Sequence, residues 1–218
     1  MKEHTSSVSH RTAKAHRTRA DILASARRAF AEHGYDGAGL REIAAAAGVT
    51  AMMVNRYFGS KEGLFGEVVT DSMRDPVILT EENLAAPDVA RTLAKTLVGL
   101  TEKSESPLDG FLILFRSTAS ETAARIARER IEAAHQKTAT GAVSGPYARE
   151  RAAILLSLVA GFQMMRQMMQ LDALTDADPE LLTDLLAPLI THLLQGPGTV
   201  ISSHQEQASG NPSHTTLA

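Results

Sequence analysis

Apolar residues recur at three- and four-residue spacing along most of the chain, and no stretch alternates apolar with polar positions for the length of a strand. Residues 77–80 and 200–201 lean toward extended structure, but both runs are too short to build a sheet. The pattern therefore predicts an all-α fold. A first helix is expected over residues 12–33, with Ile22, Leu23, Ala26 and Phe30 on one face and Arg17 and Arg28 opposite. Gly34 stands just past its end, where a positive φ is favoured. Short helices over residues 40–47 and 50–58 follow, broken at Gly48. Ser60 is placed to cap a fourth helix that carries Leu64, Phe65, Val68 and Val69 toward a core.

Asp75-Pro76 marks a boundary, because proline disfavours helical geometry in the residue before it. Beyond it, helices are expected over residues 88–103, 108–118, 122–139, 147–171 and 179–195, with GAVSGP, residues 141–146, as the clearest loop. The 147–171 helix is apolar around most of its circumference, and so is the last one, where Asp178 is the N-cap and Pro179 the first helical residue. Helices of that kind must be covered on two sides. Pro188 predicts a kink near Asp184. The first nine residues and everything after Pro197 are rich in small polar residues with nothing to bury, so both are expected to be disordered tails.

The 218 residues suffice for one large domain or two small ones. Cysteine is absent, which excludes disulfides, thiolate metal sites and thiol catalysis together and fits a reduced compartment. The basic N-terminal stretch has no apolar core of a secretory signal. The longest run free of Asp, Glu, Lys and Arg, residues 185–205, is interrupted by Pro188, Gly196, Pro197 and Gly198. A soluble cytoplasmic protein with no membrane partner is expected.

The formal net charge of −3 hides an asymmetry. Up to Lys61 there are ten basic and five acidic side chains, a net +5, whereas the remainder carries twelve against twenty, a net −8. A basic head on an acidic body suits a polyanion-binding module joined to a differently employed domain. Chemistry of other kinds finds little footing. HExxH, GxSxG, GxxxxGK and glycine-rich dinucleotide motifs are missing, and Glu132 to His135 is a single ExxH where a di-metal bundle needs two. No catalytic residue, metal site or cofactor is expected. An aromatic content of 4% without Trp disfavours stacking-based recognition of single strands.

The sharpest local signal is LREIAAAAGVTAMMVNRYF, residues 40–58. Two short helices joined by a tight turn must cross closely, which demands small residues where they touch and a residue tolerant of positive φ at the bend. Ala44 and Gly48 stand at those two points. Ile43 and Ala47 face inward from the first helix, Val49 plugs the turn, and Met53, Val54 and Phe58 form the inner face of the second. Ala51, Met52, Asn55 and Arg56 are left on the outer face with Thr50 at the helix start, a set that could meet base edges and phosphate in a major groove. An ordinary helical hairpin would show a similar Ala-rich pattern, but the positive head favours DNA.

The segment FAEHGYDGAGLREIAAAAGVTAMMVNRYFGSKEGLF closely resembles the N-terminal part of the TetR family of bacterial transcriptional regulators. The likeness covers roughly residues 18–69 and is anchored on Phe30, Gly34-Tyr35, Ile43-Ala44, Ala47-Gly48-Val49, Tyr57-Phe58, Ser60-Lys61-Glu62 and Leu64. It implies an all-helical homodimer with a three-helix DNA-binding domain, followed by a larger domain that dimerises and binds a small-molecule effector. On this reading residues 1–9 are a tail, 10–60 the helix-turn-helix domain, 61–196 the ligand-binding and dimerisation domain, and 197–218 a second tail. Thr50, Ala51, Met52, Asn55 and Arg56 would face the groove of an operator duplex, Tyr57 and Lys61 would contact phosphate, and Arg41 would lie near the backbone.

Two departures stand out. Ala38-Gly39 replaces the family's usual Thr before the second helix, and Asn55 replaces its usual first aromatic in the third. The two last helices look like those that pair with their symmetry mates in the family. Phe111, Phe115 and Met164 are the expected effector contacts, with Arg116, Arg125 and His135 as polar choices for a charged ligand. The function expected is a repressor released from a pseudo-palindromic operator by a small molecule. The competing expectation is a ligand-binding or enzymatic helical bundle whose head is only a scaffold.

Overall fold

The computed structural model describes residues 3–74, 77–102 and 109–196. Among them the regular structure is entirely helical: α1 Glu3–Gly37, α2 Leu40–Ala46, α3 Ala51–Phe58, α4 Lys61–Ser72, α5 Glu81–Leu84, α6 Val89–Leu100, α7 Asp109–Ser117, α8 Glu121–Ile131, α9 Lys137–Ala142, α10 Ala148–Gln163, α11 Asp172–Thr175 and α12 Pro179–Gln195. Single π-helical turns, Glu132–Gln136 and Met164–Met168, follow α8 and α10. Residues 77–79 form bends rather than a strand. Among the described residues no helix is long and apolar enough to cross a membrane.

Helix α1 corrects the expected tail over residues 1–9, since residues 3–9 are helical. They contain neither Gly nor Pro, so nothing in them stops the helix from continuing. The second expected tail, residues 197–218, lies outside the described residues.

The described helices form two compact units, one of residues 3–74 and 109–135 and one of residues 77–102 and 136–196. In the first, Ile22, Ala26 and Phe30 of α1, Ile43 of α2, Val54 of α3, Leu64, Phe65 and Val68 of α4, Ile113 of α7 and Ile126 of α8 share one core. The division by packing therefore differs from the boundary expected at residue 60. The apolar face of α4 belongs to the same core as α1, and that core also takes up α7 and α8. The Phe65 ring meets Phe30 edge-on at 5.1 Å and Tyr35 at 5.0 Å between centroids.

Gly34, at φ 67°, ends the regular part of α1. A Cβ there would sit 2.5 Å from the Arg116 carbonyl oxygen, so this glycine serves both the left-handed backbone and the close approach of α7. Arg116 Nη1 donates to the carbonyls of Ala31 at 2.5 Å and Glu32 at 2.9 Å, placing a cation at the carbonyl end of the helix. The Tyr35 amide donates to Ser117 Oγ at 3.1 Å.

In the second unit α6 packs along α12, with Leu93, Ala94, Leu97, Leu155, Leu182, Leu186 and Ile190 in the core. Helix α12 runs through Pro188. The expected 147–171 helix is instead α10, which starts after a left-handed Tyr147 and passes into a π turn. Two buried guanidinium groups here bind carbonyls rather than carboxylates. Arg151 donates to those of Ser144, Pro146 and Leu193, and Arg166 to those of Val98 and Leu174 and to Thr101 Oγ1.

His135 lies half-buried in the first π turn, and burial pushes its imidazole pKa below the ordinary value of about 6.5. The unfolded chain then binds the proton more readily than the folded one, so this group's contribution to stability is lost as pH falls below that value. Urea midpoints for the wild type and His135→Gln should differ in their change from neutral to mildly acidic pH, the wild type losing more. An equal loss in both would refute the assignment.

Candidate nucleic-acid interface

The bend between α2 and α3 is set by backbone hydrogen bonding. The Val49 amide donates to the Ala44 carbonyl at 2.9 Å and the Gly48 amide to that of Ala45 at 3.0 Å, the paired bonds of a Schellman motif. Gly48 supplies the positive φ of 68° the motif needs. Helix α2 is held to α1 by its buried Ile43 and Ala44 and by Ser25, whose hydroxyl donates to the Ile43 carbonyl at 3.0 Å. Its N-cap is Gly39, which offers no side-chain cap, so the expected departure at this position leaves bare backbone N–H groups at the helix start.

Helix α3 starts at the Thr50 N-cap, whose hydroxyl oxygen accepts from the Met53 amide at 3.4 Å. Its inner face is closed: Val54 is fully buried, Phe58 is 9% exposed, and Met53 is half-buried. Its outer face is open. Met52 is 81% exposed, Asn55 and Arg56 are exposed, and Ala51 and Tyr57 are half-buried. Arg41 and Thr50 are exposed as well. Met52, Asn55 and Arg56 thus share the open side of a short rod, while Tyr57 packs partly against the core on the other side and Arg41 stands on α2.

The rod ends at Gly59, and Ser60 immediately caps α4 by accepting from the Gly63 amide at 3.1 Å. Lys61 is placed less freely than the others, because its ammonium stands 4.7 Å from the centre of the Tyr35 ring. Burial, with smaller contributions from Glu62 and Asp36, raises the Tyr35 pKa, so its phenol stays neutral beneath that cation. Sequence reasoning missed Gly63, where a Cβ would run into the Phe58 carbonyl oxygen at the α3–α4 junction. A glycine in the first turn of a helix, where better helix formers abound, was the available signal.

A rod with a buried inner face, joined through a glycine bend to a supporting helix, defines a helix-turn-helix unit. Residues 22–68 match the family described as bacterial regulatory proteins, tetR family, and residues 88–194 match the tetracyclin repressor-like C-terminal domain. The chain belongs to the TetR family. It is similar to the transcriptional repressor AcnR of Corynebacterium glutamicum, with 40% identity over 68 residues, 31% of this chain and 36% of that protein. The match thus spans about a third of the relative's length. Among solved structures, NalD, the secondary repressor of the MexAB-OprM multidrug efflux pump in Pseudomonas aeruginosa, superposes with a TM-score of 0.56 at 25% identity, over 84% of this chain and 98% of that one. A TetR-family regulator from Rhodococcus sp. does so with a TM-score of 0.61 at 18% identity, over 82% and 99%.

The expected effector residues are not brought together within either compact unit. Phe111 and Phe115 stack in α7 with centroids 6.3 Å apart, whereas Met164 opens the second π turn in the other unit. A groove of about 270 Å³ between α7 and α8 is lined by Leu114, Ser117, Ala123, Ala127, Ile131 and their neighbours, and by none of those three. The polar choices are engaged with protein partners or withdrawn from solvent: Arg116 holds α1, Arg125 pairs with Glu129 at 3.0 Å, and His135 is half-buried. Among the described residues no cluster of three His, Asp or Glu side chains could hold a metal ion.

Gly48 provides a clean measure of the bend. No atom lies within 4 Å of a Cβ added there, so Gly48→Ala meets no clash and loses only the backbone preference, about 1–2 kcal/mol. Thermal unfolding should show that loss, and an unchanged midpoint would contradict the left-handed assignment.

Proposed function

We propose that this TetR-family protein is a DNA-binding transcriptional repressor that binds a pseudo-palindromic operator as a homodimer and is released by a small-molecule effector. The observation that carries the reading is the outer face of α3, where Met52, Asn55 and Arg56 stand exposed over a fully anchored inner face. Asn pairs bidentately with adenine and Arg with guanine in a major groove. Thr50 and Ala51 would face the groove with them, Arg41 would lie near the backbone, and Tyr57 and Lys61 would contact phosphate, Lys61 while remaining beside the Tyr35 ring.

Dimerisation is supported by apolar surface on the last two long helices. Leu181, Leu185 and Leu189 repeat every four residues along the exposed side of α12, and Ile154 is exposed on α10. A second copy presenting the same stripe would bury it and hold two α3 rods about one turn of duplex apart, roughly 34–36 Å. An effector bound by each protomer would then change that separation. Phe111, Phe115 and Met164 are retained in this proposal as its effector contacts. A purely enzymatic bundle has no counterpart in the chain's family membership.

Selection of bound fragments from the source genome, followed by gel shift, tests the reading directly: a discrete, salt-sensitive complex is expected, and no retention at low salt would defeat it. With such a fragment, Arg56→Ala should lose about 1–3 kcal/mol of discrimination against unrelated duplex, roughly 5- to 150-fold. Lys61→Ala should weaken both kinds of binding and lower the salt slope by about 1. Uniform loss across all sequences in the Arg56 variant would remove it from base reading.

For the dimer, Leu185→Asp combined with Leu189→Asp should shift sedimentation to the monomer and sharply weaken binding to the two-half-site fragment. A variant that remained dimeric would place the interface elsewhere.

A further inference from the structure

The chain has eight methionines and no cysteine, so its oxidisable sulfur is all thioether. The described methionines fall into two groups. Met73 is buried and Met53, Met164 and Met168 are half-buried, whereas Met52, Met169 and Met165 are exposed to 81%, 66% and 39%. Met165 and Met169 belong to the second unit. Of the exposed three, only Met52 stands on α3, as its second residue.

Position gives Met52 its consequence. Asn55 and Arg56 follow it by three and four residues, so the three side chains are neighbours on the helix surface. The helix cannot turn it inward, because Val54 and Phe58 hold the opposite side of α3 in the core. As a thioether, Met52 offers apolar surface suited to a thymine methyl. As a sulfoxide it would carry a polar oxygen that accepts hydrogen bonds, and its neighbours Asn55 and Arg56 are donors. A guanidinium or amide drawn to that oxygen is withdrawn from a base edge.

We propose that Met52 is an oxidation site through which a peroxide weakens sequence-specific DNA binding. This rests on the reading of α3 as the DNA-reading helix. With hydrogen peroxide, the sulfur lone pair takes one oxygen, so that an S–O bond forms as the O–O bond breaks. The proton of the transferred oxygen passes to the departing hydroxide, which leaves as water. Sulfur is thereby oxidised and the peroxide reduced by the same electron pair. No charge is gained or lost, so the effect falls on base reading and not on phosphate attraction. Methionine sulfoxide reductases return the sulfoxide to the thioether, which makes the change reversible.

Treating the full-length wild type with graded hydrogen peroxide tests this. Each step is read by peptide mass spectrometry, thermal unfolding and gel shift on the genomic fragment recovered above and on a mixed-sequence duplex of equal length. Met52 should be oxidised before Met53 and Met73. As it is, preference for the fragment should fall by roughly 5- to 150-fold, the worth of one good base contact. Binding to mixed sequence, its salt slope and the thermal midpoint should stay unchanged, and the reductases should restore the preference. Whatever their starting affinities, Met52→Leu should keep its preference through the same treatment, and the Met165→Leu/Met169→Leu double variant should lose it. Full preference in wild type oxidised at Met52, or an equal loss in Met52→Leu, would overturn the oxidation site and leave α3 as the reading helix. Failure of the untreated wild type to retain any discrete fragment would overturn both.

Discussion

Everything in the head depends on the burial of one side of α3. Val54 and Phe58 join a core shared with Phe30 and Phe65, in which Phe65 of α4 packs edge-on against both Phe30 and Tyr35 of α1. A helix of eight residues is far too short to be stable alone in water, so its existence follows from that packing. Because the inner side is committed, the outer side is presented in a single orientation. Met52, at 81% exposure, lies on that outer side.

Arginine side chains bind backbone carbonyls at several helix ends. Arg116 binds the carbonyls that end α1, Arg151 those of the loop before α10 and of α12, and Arg166 those at the ends of α6 and α11. Helix ends leave carbonyls without internal partners, and a guanidinium offers five donors in a fixed fork. The buried charges of Arg151 and Arg166, satisfied by several carbonyl dipoles, avoid the desolvation of a carboxylate partner. Replacing such a group by a neutral one would orphan several acceptors at once, which makes these residues structural anchors.

Much of the head was legible in the chain. The periodicity around Ile22, Phe30, Ile43, Val54 and Leu64 identified the helices and their inward faces, because burial of one stripe leaves a spacing that survives in sequence. Gly34 and Gly48 were readable as bends because few other residues adopt positive φ. The second unit was less legible. Its long helices carry apolar residues on more than one side, so periodicity did not reveal that α10 passes into a π turn or that Arg166 is buried within it. Gly63 escaped notice because its reason is a close approach to the Phe58 carbonyl, a fact of the junction and not of composition.

The sequence by itself determined the helical class, the glycine bend, the caps at Ser60 and Asp178, and which face of α3 turns outward, since each follows from spacing and local backbone chemistry. Only the tertiary structure decided that α4, α7 and α8 share the core of the head, that Lys61 rests on Tyr35, and that α1 is helical from Glu3 onward. Those outcomes depend on contacts between residues far apart in the chain, or on the absence of a local stop, and neither leaves a period in the sequence.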